Sequence, residues 1–517
     1  MGDIFSHLWD GAIFALSLWN ILAIVIGYAI GIVAGAIPGV MAVTAMVLIL
    51  PYTFTLEPLF AIALLMGIYK GGAYAGSITA TLFNIPGTPE AAATALDSYP
   101  MFKQGMQKRS LEIALWASVF GGTVSNFLLV FTAPPLAEVA LRLGPSEIAA
   151  LILFSLTAVI TLLGDSRMDI WKGFISITLG LMLATVGLDN MSASRRYVFG
   201  IEDLDNGVPF VLTIIALLAL SEVFIQAEKV GGFTLGNAAE AVSKIIPYTW
   251  KQRWLDLKIC LKDLIRSSLV GSLLGALPGI GATTAAFVCY GEARRSAKKN
   301  ARFGDGDPRG IAAPEAGNNA VAASSLIPLV TLGIPGSVAA AVMYGAFMIQ
   351  GMIPGPMLMM EHPEIIYGLF VLLIVTDFLG AFVVALPFIS VVQKIFKNLN
   401  YSLFFPGVVV CCVVGVYAEE FNVFNLRIFL ALGFVGYIMR KMGMSIPPFI
   451  LAFILGPILE RNTRTALLLS DGSPMIFVQS PITLGLLILA VAALGWSLWR
   501  KTRGGKSVLE VPEEFKH

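Results

Sequence analysis

Short Pro-Gly motifs followed by hydroxyl side chains are the residues of this sequence best suited to binding an anion. Pro38-Gly39 and Pro86-Gly87 each interrupt an apolar stretch, and Thr44 and Thr88 follow closely. A proline-glycine pair ends one helical piece and lets another begin, and the new helix start has free N–H groups and the positive end of the helix dipole. Such an end binds an anion without a charged side chain. The hydroxyls could donate to a carboxylate or supply oxygen to a sodium ion.

Both motifs recur later in the chain, in the same order. Gly31 to Gly39 matches Gly271 to Gly279 at an offset of 240 residues, and Ile85-Pro86-Gly87-Thr88 matches Ile334-Pro335-Gly336-Ser337 at an offset of 249. The alternative to a binding role is that Gly and Thr only allow tight helix packing. The candidate substrate-binding residues at the four breaks are Pro38, Gly39, Thr44, Asn84, Pro86, Gly87, Thr88, Pro278, Gly279, Gly281, Thr283, Thr284, Gly333, Pro335, Gly336 and Ser337.

Three further polar side chains in apolar surroundings are candidates for the same site. Asn318 and Asn319 either face the substrate or close a helix contact, and the neighbouring Glu315 is either used at membrane depth or is a charge at a helix start. Lys70 is the one candidate for a full positive charge. It could pair with an anionic substrate, with Glu90 or Asp97, or extend to an interface.

Asp377 and Glu222 are further acids within apolar stretches. Each is either a structural partner or a cation-relay group.

The elements that position these residues are membrane helices. Hydrophobic residues make up 57% of the 517 residues and charged residues 13%, which excludes a soluble enzyme and a disordered chain. The net charge of +1 gives no basic excess for nucleic acid. The apolar runs predict an all-α polytopic membrane protein with roughly 12 membrane segments, some of them broken or re-entrant.

The distribution of basic residues predicts how the segments are inserted. Most of the 34 Lys and Arg residues fall in loops that we place on the cytoplasmic side, together with the C-terminus. Residues 267–290 lie between two basic loops and are therefore predicted to enter and leave from the cytoplasm, as a hairpin with Pro278-Gly279 near its tip. The basic flanks of the two motif copies are reversed, so we predict two inverted-topology repeats, a pattern typical of secondary transporters.

This organisation divides the chain into four regions. Residues 244–266 have an apolar face that includes Trp250 and Trp254, which indicates an amphipathic helix at the cytoplasmic interface or a connector without lipid contact. The predicted regions are membrane repeat 1 (1–225), a cytoplasmic amphipathic connector (226–266), membrane repeat 2 (267–499) and a cytoplasmic tail (500–517).

Motifs for catalysis are not found in the sequence. It contains no ATP-binding G-x-x-x-x-G-K-[ST] motif and no H-E-x-x-H motif, and its three His residues are scattered. We therefore expect no enzyme activity, no metal site other than a possible sodium site at the helix breaks, and no cofactor.

At several of these motifs the chain resembles the large transmembrane subunit of the tripartite tricarboxylate transporter family. The resemblance extends from about residue 10 to 500 of this sequence. Its most specific stretches are Gly71-Gly72-Ala73-Tyr74-Ala75-Gly76-Ser77, Asn84-Ile85-Pro86-Gly87 with Thr94, Asp97-Ser98-Tyr99-Pro100, residues 275–281, residues 310–320 with Pro314-Glu315-Ala316-Gly317-Asn318-Asn319, residues 331–336 and residues 351–356.

The resemblance implies a three-component importer in a bacterial inner membrane. A periplasmic solute-binding protein would capture a carboxylate, and this subunit with a small membrane subunit would carry it inward, driven by a sodium or proton gradient. Lys70 departs from the aromatic residue expected at its position, which leaves the choice among tricarboxylates and dicarboxylates open. The other hypothesis is a stand-alone channel-like or efflux protein for organic anions.

Overall fold

The computed structural model shows a molecule built almost wholly of helices. It describes residues 2–37, 41–162, 167–189, 191–228, 246–298, 301–390 and 401–502. Six described helices are long and apolar enough to cross a membrane. They are Leu18–Gly35, Pro58–Phe83, Gln107–Ala140, Pro363–Ser390, Val423–Lys441 and Pro481–Trp499, and five shorter apolar helices accompany them. The prediction of an all-α polytopic membrane protein is confirmed.

In the first half of the chain, each Pro-Gly motif stands between two consecutive helices. Its helices are α1 (Gly2–Ala15), α2 (Leu18–Gly35), α3 (Ala42–Ile49), α4 (Pro58–Phe83), α5 (Ala91–Lys103), α6 (Gln107–Ala140), α7 (Pro145–Leu162), α8 (Arg167–Ala184), α9 (Phe210–Ile214) and α10 (Ser221–Glu228). A 3-10 turn, Leu50–Thr55, follows α3, and a π-helical turn, Ile215–Leu220, joins α9 to α10.

The second half repeats this plan and then adds further helices. Its helices are α11 (Trp250–Ala276), α12 (Gly281–Ser296), α13 (Pro308–Ser324), α14 (Leu326–Leu332), α15 (Val338–Ile349), α16 (Leu358–Glu361), α17 (Pro363–Leu379), α18 (Tyr401–Glu420), α19 (Val423–Lys441), α20 (Pro447–Leu469), α21 (Ile476–Gln479) and α22 (Pro481–Thr502). A π-helical turn, Gly380–Ala385, continues α17.

A small hairpin connects α8 to α9. Strands β1 (Gly187–Leu188) and β2 (Arg195–Arg196) pair antiparallel, with Gly187 opposite Arg196. Ion pairs fasten it to α20, because Arg464 lies 2.6 Å from Asp189 and Arg196 lies 2.6 Å from Glu460. The Arg464 guanidinium holds the pKa of the Asp189 carboxyl well below its usual range.

The two halves pack their helices in the same way. Helix α2 crosses α4 as α11 crosses α13, and the close approaches occur at equivalent glycines. A Cβ added at Gly31 would lie 2.2 Å from the carbonyl oxygen of Ile68, and one added at Gly271 would lie 2.3 Å from that of Gly317. The internal repeat is therefore present in the packing as well as in the sequence. The opposite insertion of its copies stays a prediction.

The predicted helical hairpin of residues 267–290 is present, within longer helices than expected. Helices α11 and α12 run antiparallel, because Arg266 donates to the Ser296 hydroxyl at 2.8 Å and the Cys289 thiol lies 3.6 Å from the Ser267 carbonyl oxygen. The prediction separated an interfacial helix ending at residue 266 from the hairpin, but α11 is continuous from Trp250 to Ala276. Trp250 is 76% exposed, as expected for the outward apolar face.

The first apolar stretch of the chain is divided between two helices. Helix α1 ends at Ala15 and α2 begins at Leu18. Ser17 accounts for the break, since its side chain accepts a hydrogen bond from the Asn20 N–H at 3.2 Å and caps the new helix.

Candidate functional site

The break after α4 turns the chain back along the helix that it has just left. Asn84 ends α4 with φ of 55°, a left-handed conformation that Asn tolerates better than most side chains. The chain then reverses through Pro86-Gly87, and the Gly87 N–H donates to the Gly76 carbonyl oxygen at 3.2 Å. Glu90 occupies the N-cap of α5. The start of α5 is thereby held beside the middle of α4.

The equivalent break in the second half has the same geometry. Gly333 ends α14 with φ of 72°, and the Gly336 N–H donates to the Ser325 carbonyl oxygen at 3.2 Å. Ser337 is the N-cap of α15, and its hydroxyl accepts from the Ala340 N–H at 3.1 Å. The chain reversal requires a positive φ at this position, which Asn84 adopts in the first half and Gly333 in the second.

Within each half, the two breaks are pressed together. A Cβ added at Gly87 would lie 2.4 Å from the Gly35 carbonyl oxygen, and one added at Gly336 would lie 3.0 Å from the Gly275 carbonyl oxygen. In the second half, the Gly279 N–H also donates to the Gly336 carbonyl oxygen at 3.0 Å.

The N–H groups of the glycines within the Pro-Gly pairs are used by the fold, since those of Gly87, Gly279 and Gly336 donate to backbone carbonyls. Binding of the substrate by the N–H groups that follow the pairs stays a prediction. The prolines and glycines shape the breaks, and the side chains that follow them remain to contact a ligand. Pro38 and Gly39 lie outside the described residues.

The starts of α3 and α5 lie one helical turn apart on α4. A Cβ added at Gly72 would meet the Cβ of Ala42, and one added at Gly76 would meet the Thr88 hydroxyl at 2.4 Å. Thr44, in the first turn of α3, is buried, and its hydroxyl has no hydrogen-bond partner within the described part of the chain. A buried hydroxyl without a partner is costly, which makes Thr44 a candidate for contact with a ligand.

Contacts between the two halves complete the site. The Thr283 hydroxyl, in the first turn of α12, lies 3.4 Å from the Glu90 carboxylate. Tyr69, on α4, faces Ser337 at the start of α15 and also faces Glu90. Helix starts of both halves thus meet around these side chains.

The side chains at this junction are partly exposed, although most of the surrounding helix surface is buried. We call them the central cluster, and its members are Tyr69, Glu90, Thr283, the adjacent Thr284 and Ser337. The neighbouring residues Lys70, Thr88 and Thr44 are buried. The central cluster is therefore the candidate ligand site between the repeats.

Lys70 lies outside the central cluster, contrary to our expectation. Successive helical residues point about 100° apart, since a turn has 3.6 residues, so Lys70 faces away from the direction of Tyr69. Its ammonium donates to Asp377 at 2.6 Å, to Asn126 at 3.2 Å and to the Leu373 carbonyl oxygen at 3.2 Å. Asn126 also donates to Asp377 at 2.7 Å. All three ammonium donors are used in a buried network that joins α4, α6 and α17.

Asn318 and Asn319 lie at helix contacts, the second of the two roles considered for them. The Asn318 amide lies 3.4 Å from the Ala73 carbonyl oxygen, across the interface of α13 and α4. The Asn319 amide donates to the Ser118 hydroxyl at 2.9 Å and to the Glu315 carbonyl oxygen at 3.1 Å.

Asp97 fastens α5 to the loop before α13. Its carboxylate accepts the N–H groups of Gly304, Gly306 and Asp307 at 2.8–3.0 Å and the Tyr290 hydroxyl at 3.1 Å. A residue of the first half thus orders a loop of the second, and Asp97 is not a partner of Lys70.

Tyr69 and Glu90 are the site residues missing from the predicted set. Tyr69 directly precedes Lys70, and Glu90 stands at the helix start that follows Pro86-Gly87. The N-cap position was a usable signal for Glu90, whereas the role of Tyr69 depends on a partner in the other half.

A helical membrane protein in which two repeats meet at broken helices, with polar side chains at the junction, has the architecture of a membrane transport protein. The sequence profile described as "Tripartite tricarboxylate transporter TctA family" matches residues 21–451. The chain belongs to this family of transporters, and the resemblance seen in its sequence is confirmed.

Two relatives come from Agrobacterium vitis. A protein named "Uncharacterized 52.8 kDa protein in TAR-I ttuC' 3'region" is 34% identical over 514 residues, which cover 99% of this chain and all of the relative. A protein named "Uncharacterized protein in TAR-II ttuC' 3'region" is 34% identical over 244 residues, which cover 47% of this chain and all of that relative. No solved structure matches the chain significantly.

Proposed function

We propose that this chain is the large permease subunit of a binding-protein-dependent importer that couples carboxylate entry to a cation gradient. The observation that carries the proposal is the central cluster, in which Thr283 of one half lies 3.4 Å from Glu90 of the other. A site built jointly by two repeats changes its exposure when one repeat moves against the other, which is the basis of alternating access.

The chemistry of the central cluster suits a carboxylate together with a cation. Hydroxyl groups and helix starts supply hydrogen-bond donors and positive potential to an anion. The Glu90 carboxylate is negatively charged, so it would repel an anion unless a cation or a proton accompanies that anion. The simplest occupant is therefore a carboxylate of the tricarboxylate or dicarboxylate class, entering with sodium or a proton.

The family to which the chain belongs supports the proposed partners. Tripartite transporters have three components, so we propose that a small membrane subunit and a periplasmic solute-binding protein act with this chain. We further propose that the chain lies in a bacterial inner membrane with a cytoplasmic C-terminus, an orientation that the distribution of its basic loops supports.

Reconstitution of the three components tests this function. Proteoliposomes containing this chain and the small subunit are supplied with the binding protein, and uptake of labelled citrate and of labelled succinate is measured with and without sodium and proton gradients. We expect uptake of at least one of the two carboxylates to require both the binding protein and a gradient.

Two controls define the alternatives. Vesicles without this chain report leakage, and vesicles without the binding protein report transport by the membrane subunits alone. Gradient-independent uptake without the binding protein would favour a channel-like protein, and net outward transport would favour an efflux protein.

A further inference from the structure

Glu315 is a buried carboxylate that the site described above does not use. Its side chain lies between α13, α5 and α6, and the residue is 1% exposed. The Thr94 hydroxyl donates to one carboxylate oxygen at 2.6 Å and the Ser118 hydroxyl to the other at 3.0 Å. No Lys, Arg or His of the described ranges lies within ion-pair distance of it. A buried charge without a cation is costly, so it needs another explanation.

The groups that face Glu315 from the packed helices do not neutralise it. Arg309, on the same helix, is paired with Asp307 at 2.6 Å. Glu112 and Asp263 are themselves paired with Arg253 and Arg266. Tyr74 from α4 and Glu90 from α5 interact electrostatically with Glu315. The helices packed against α13 also carry the titratable groups Asp97, Glu112, Asp263, Cys260 and Cys289.

The hydrogen-bond shell of Glu315 accommodates both protonation states. The Ser118 hydroxyl has one proton and two acceptors in reach, since the Ala114 carbonyl oxygen lies 2.8 Å away. It can donate to Glu315 when the carboxylate is charged and turn to Ala114 when the acid is neutral. The Thr94 hydroxyl can donate to the carboxylate or accept from the acid, because a hydroxyl does both. By contrast, Asp377 is held by the ammonium of Lys70.

The same shell is unsuited to sodium. Hard cations take several oxygen ligands, whereas beyond its own carboxylate Glu315 has two hydroxyl oxygens nearby. The Asn319 amide directs an N–H donor at Ser118 from 2.9 Å, and a donor in the shell repels a cation.

We propose that Glu315 binds and releases a proton that drives transport, an inference that rests on the proposed function. The proton forms an O–H bond at a Glu315 carboxylate oxygen, and this O–H group donates a hydrogen bond to the Thr94 hydroxyl oxygen. On release the O–H bond breaks and the proton passes to water on the other side of the membrane. At this position the coupling ion is therefore a proton and not sodium.

Thr94 connects this proton to the central cluster. It lies one helical turn after Glu90 on α5, so the two side chains share a helix face. The carboxyl groups of Glu315 and Glu90 also interact electrostatically. An anion beside Glu90 and a proton on Glu315 attract each other, and this coupling is reciprocal, so each favours the binding of the other.

Infrared difference spectroscopy of the purified chain tests the proton site without a substrate. Spectra recorded over pH 5–9 should show a carboxylic-acid carbonyl band that disappears as the pH rises. Glu315→Gln should abolish this band, whereas Glu315→Asp should retain it and Glu364→Gln, at an exposed glutamate, should leave it as in the wild type. An unchanged band in Glu315→Gln, or no titrating band in the wild type, would overturn the proposal.

Transport in the complete reconstituted system tests the coupling. Proton-driven accumulation of citrate or succinate should fall at least tenfold in Glu315→Gln, while exchange between equal pools at equal pH should persist, because exchange needs no net proton movement. Accumulation that depends on sodium alone would overturn the coupling role. A wild-type chain with the infrared band but without uptake would count against the proposed function and leave the proton site supported.

Discussion

The Thr283 hydroxyl lies 3.4 Å from the carboxylate of Glu90, although 193 residues separate the two along the chain. Each belongs to the first helical turn after a break, one in each half. The contact therefore reports directly on how the two halves are placed against each other.

Loss of the Thr283 hydroxyl should impair transport. A hydrogen bond to a charged group contributes about 1.5–3 kcal/mol. We therefore expect Thr283→Val to lower the initial uptake rate about tenfold or more, measured in proteoliposomes with all three components. The matched control is Thr178→Val, at an exposed threonine whose hydroxyl bonds within its own helix. Equal rates in the two variants would remove Thr283 from the site.

The Lys70–Asp377 pair should matter for folding more than for substrate. Removing one partner of a buried ion pair costs about 3–5 kcal/mol, whereas replacing both by apolar residues is far less harmful. We expect Lys70→Met to lower the thermal unfolding temperature in detergent and the Lys70→Met/Asp377→Leu double variant to recover most of it.

Lys108→Met, at a 56% exposed lysine, is the control for loss of a lysine charge. Normal unfolding of Lys70→Met combined with lost transport would instead assign the ammonium to the transport cycle.

Gly87 should tolerate no side chain. A Cβ there would lie 2.4 Å from the Gly35 carbonyl oxygen, and overpacking of this kind costs about 1–3 kcal/mol. We expect Gly87→Ala to reduce the yield of folded protein and its unfolding temperature, as measured by fluorescence-detected size exclusion. Gly485→Ala is the control, since nothing lies near its Cβ position. Indistinguishable behaviour of the two variants would contradict the close packing of the breaks.

The hairpin of α11 and α12 should have both ends at one membrane face. In a background without the four native cysteines, Lys262→Cys and Lys298→Cys should react with an impermeant maleimide from the same side of oriented vesicles. Ser192→Cys, in the hairpin between α8 and α9, should react from the other side. Labelling of positions 262 and 298 from opposite faces would exclude both the hairpin topology and the inverted repeat.

The helix breaks could be predicted because their causes are local. Pro and Gly act on the backbone where they stand, so the interruptions near residues 84–87 and 333–336 are visible in any one copy. Because the motifs recur, each helix break was predicted in both copies of the repeat. The continuity of α11 was also encoded locally, because Thr249 and Gln252 form a capping box and no Gly or Pro interrupts residues 250–270.

The contents of the site could not be predicted in the same way. Lys70 pairs with Asp377, which lies 307 residues further along the chain, and Tyr69 faces Ser337 in the other half. Which face of α4 meets which helix is decided by packing of the whole bundle. A charged residue in an apolar segment therefore predicts that an interaction partner exists, but the sequence does not identify which residue that partner is.

The contact between Gly87 and Gly35, and its counterpart between Gly336 and Gly275, bears on how such a gene can diverge after duplication. A side chain at either glycine would collide with the neighbouring backbone, so we expect substitution to be selected against at these positions in both copies. Residues lining the junction carry no such restriction, and here one copy has Thr88 and Glu90 where the other has Ser337 and Ala339. We therefore expect related proteins to keep these glycines. The residues that line the junction can differ between relatives, and such differences would change which solute each of them accepts.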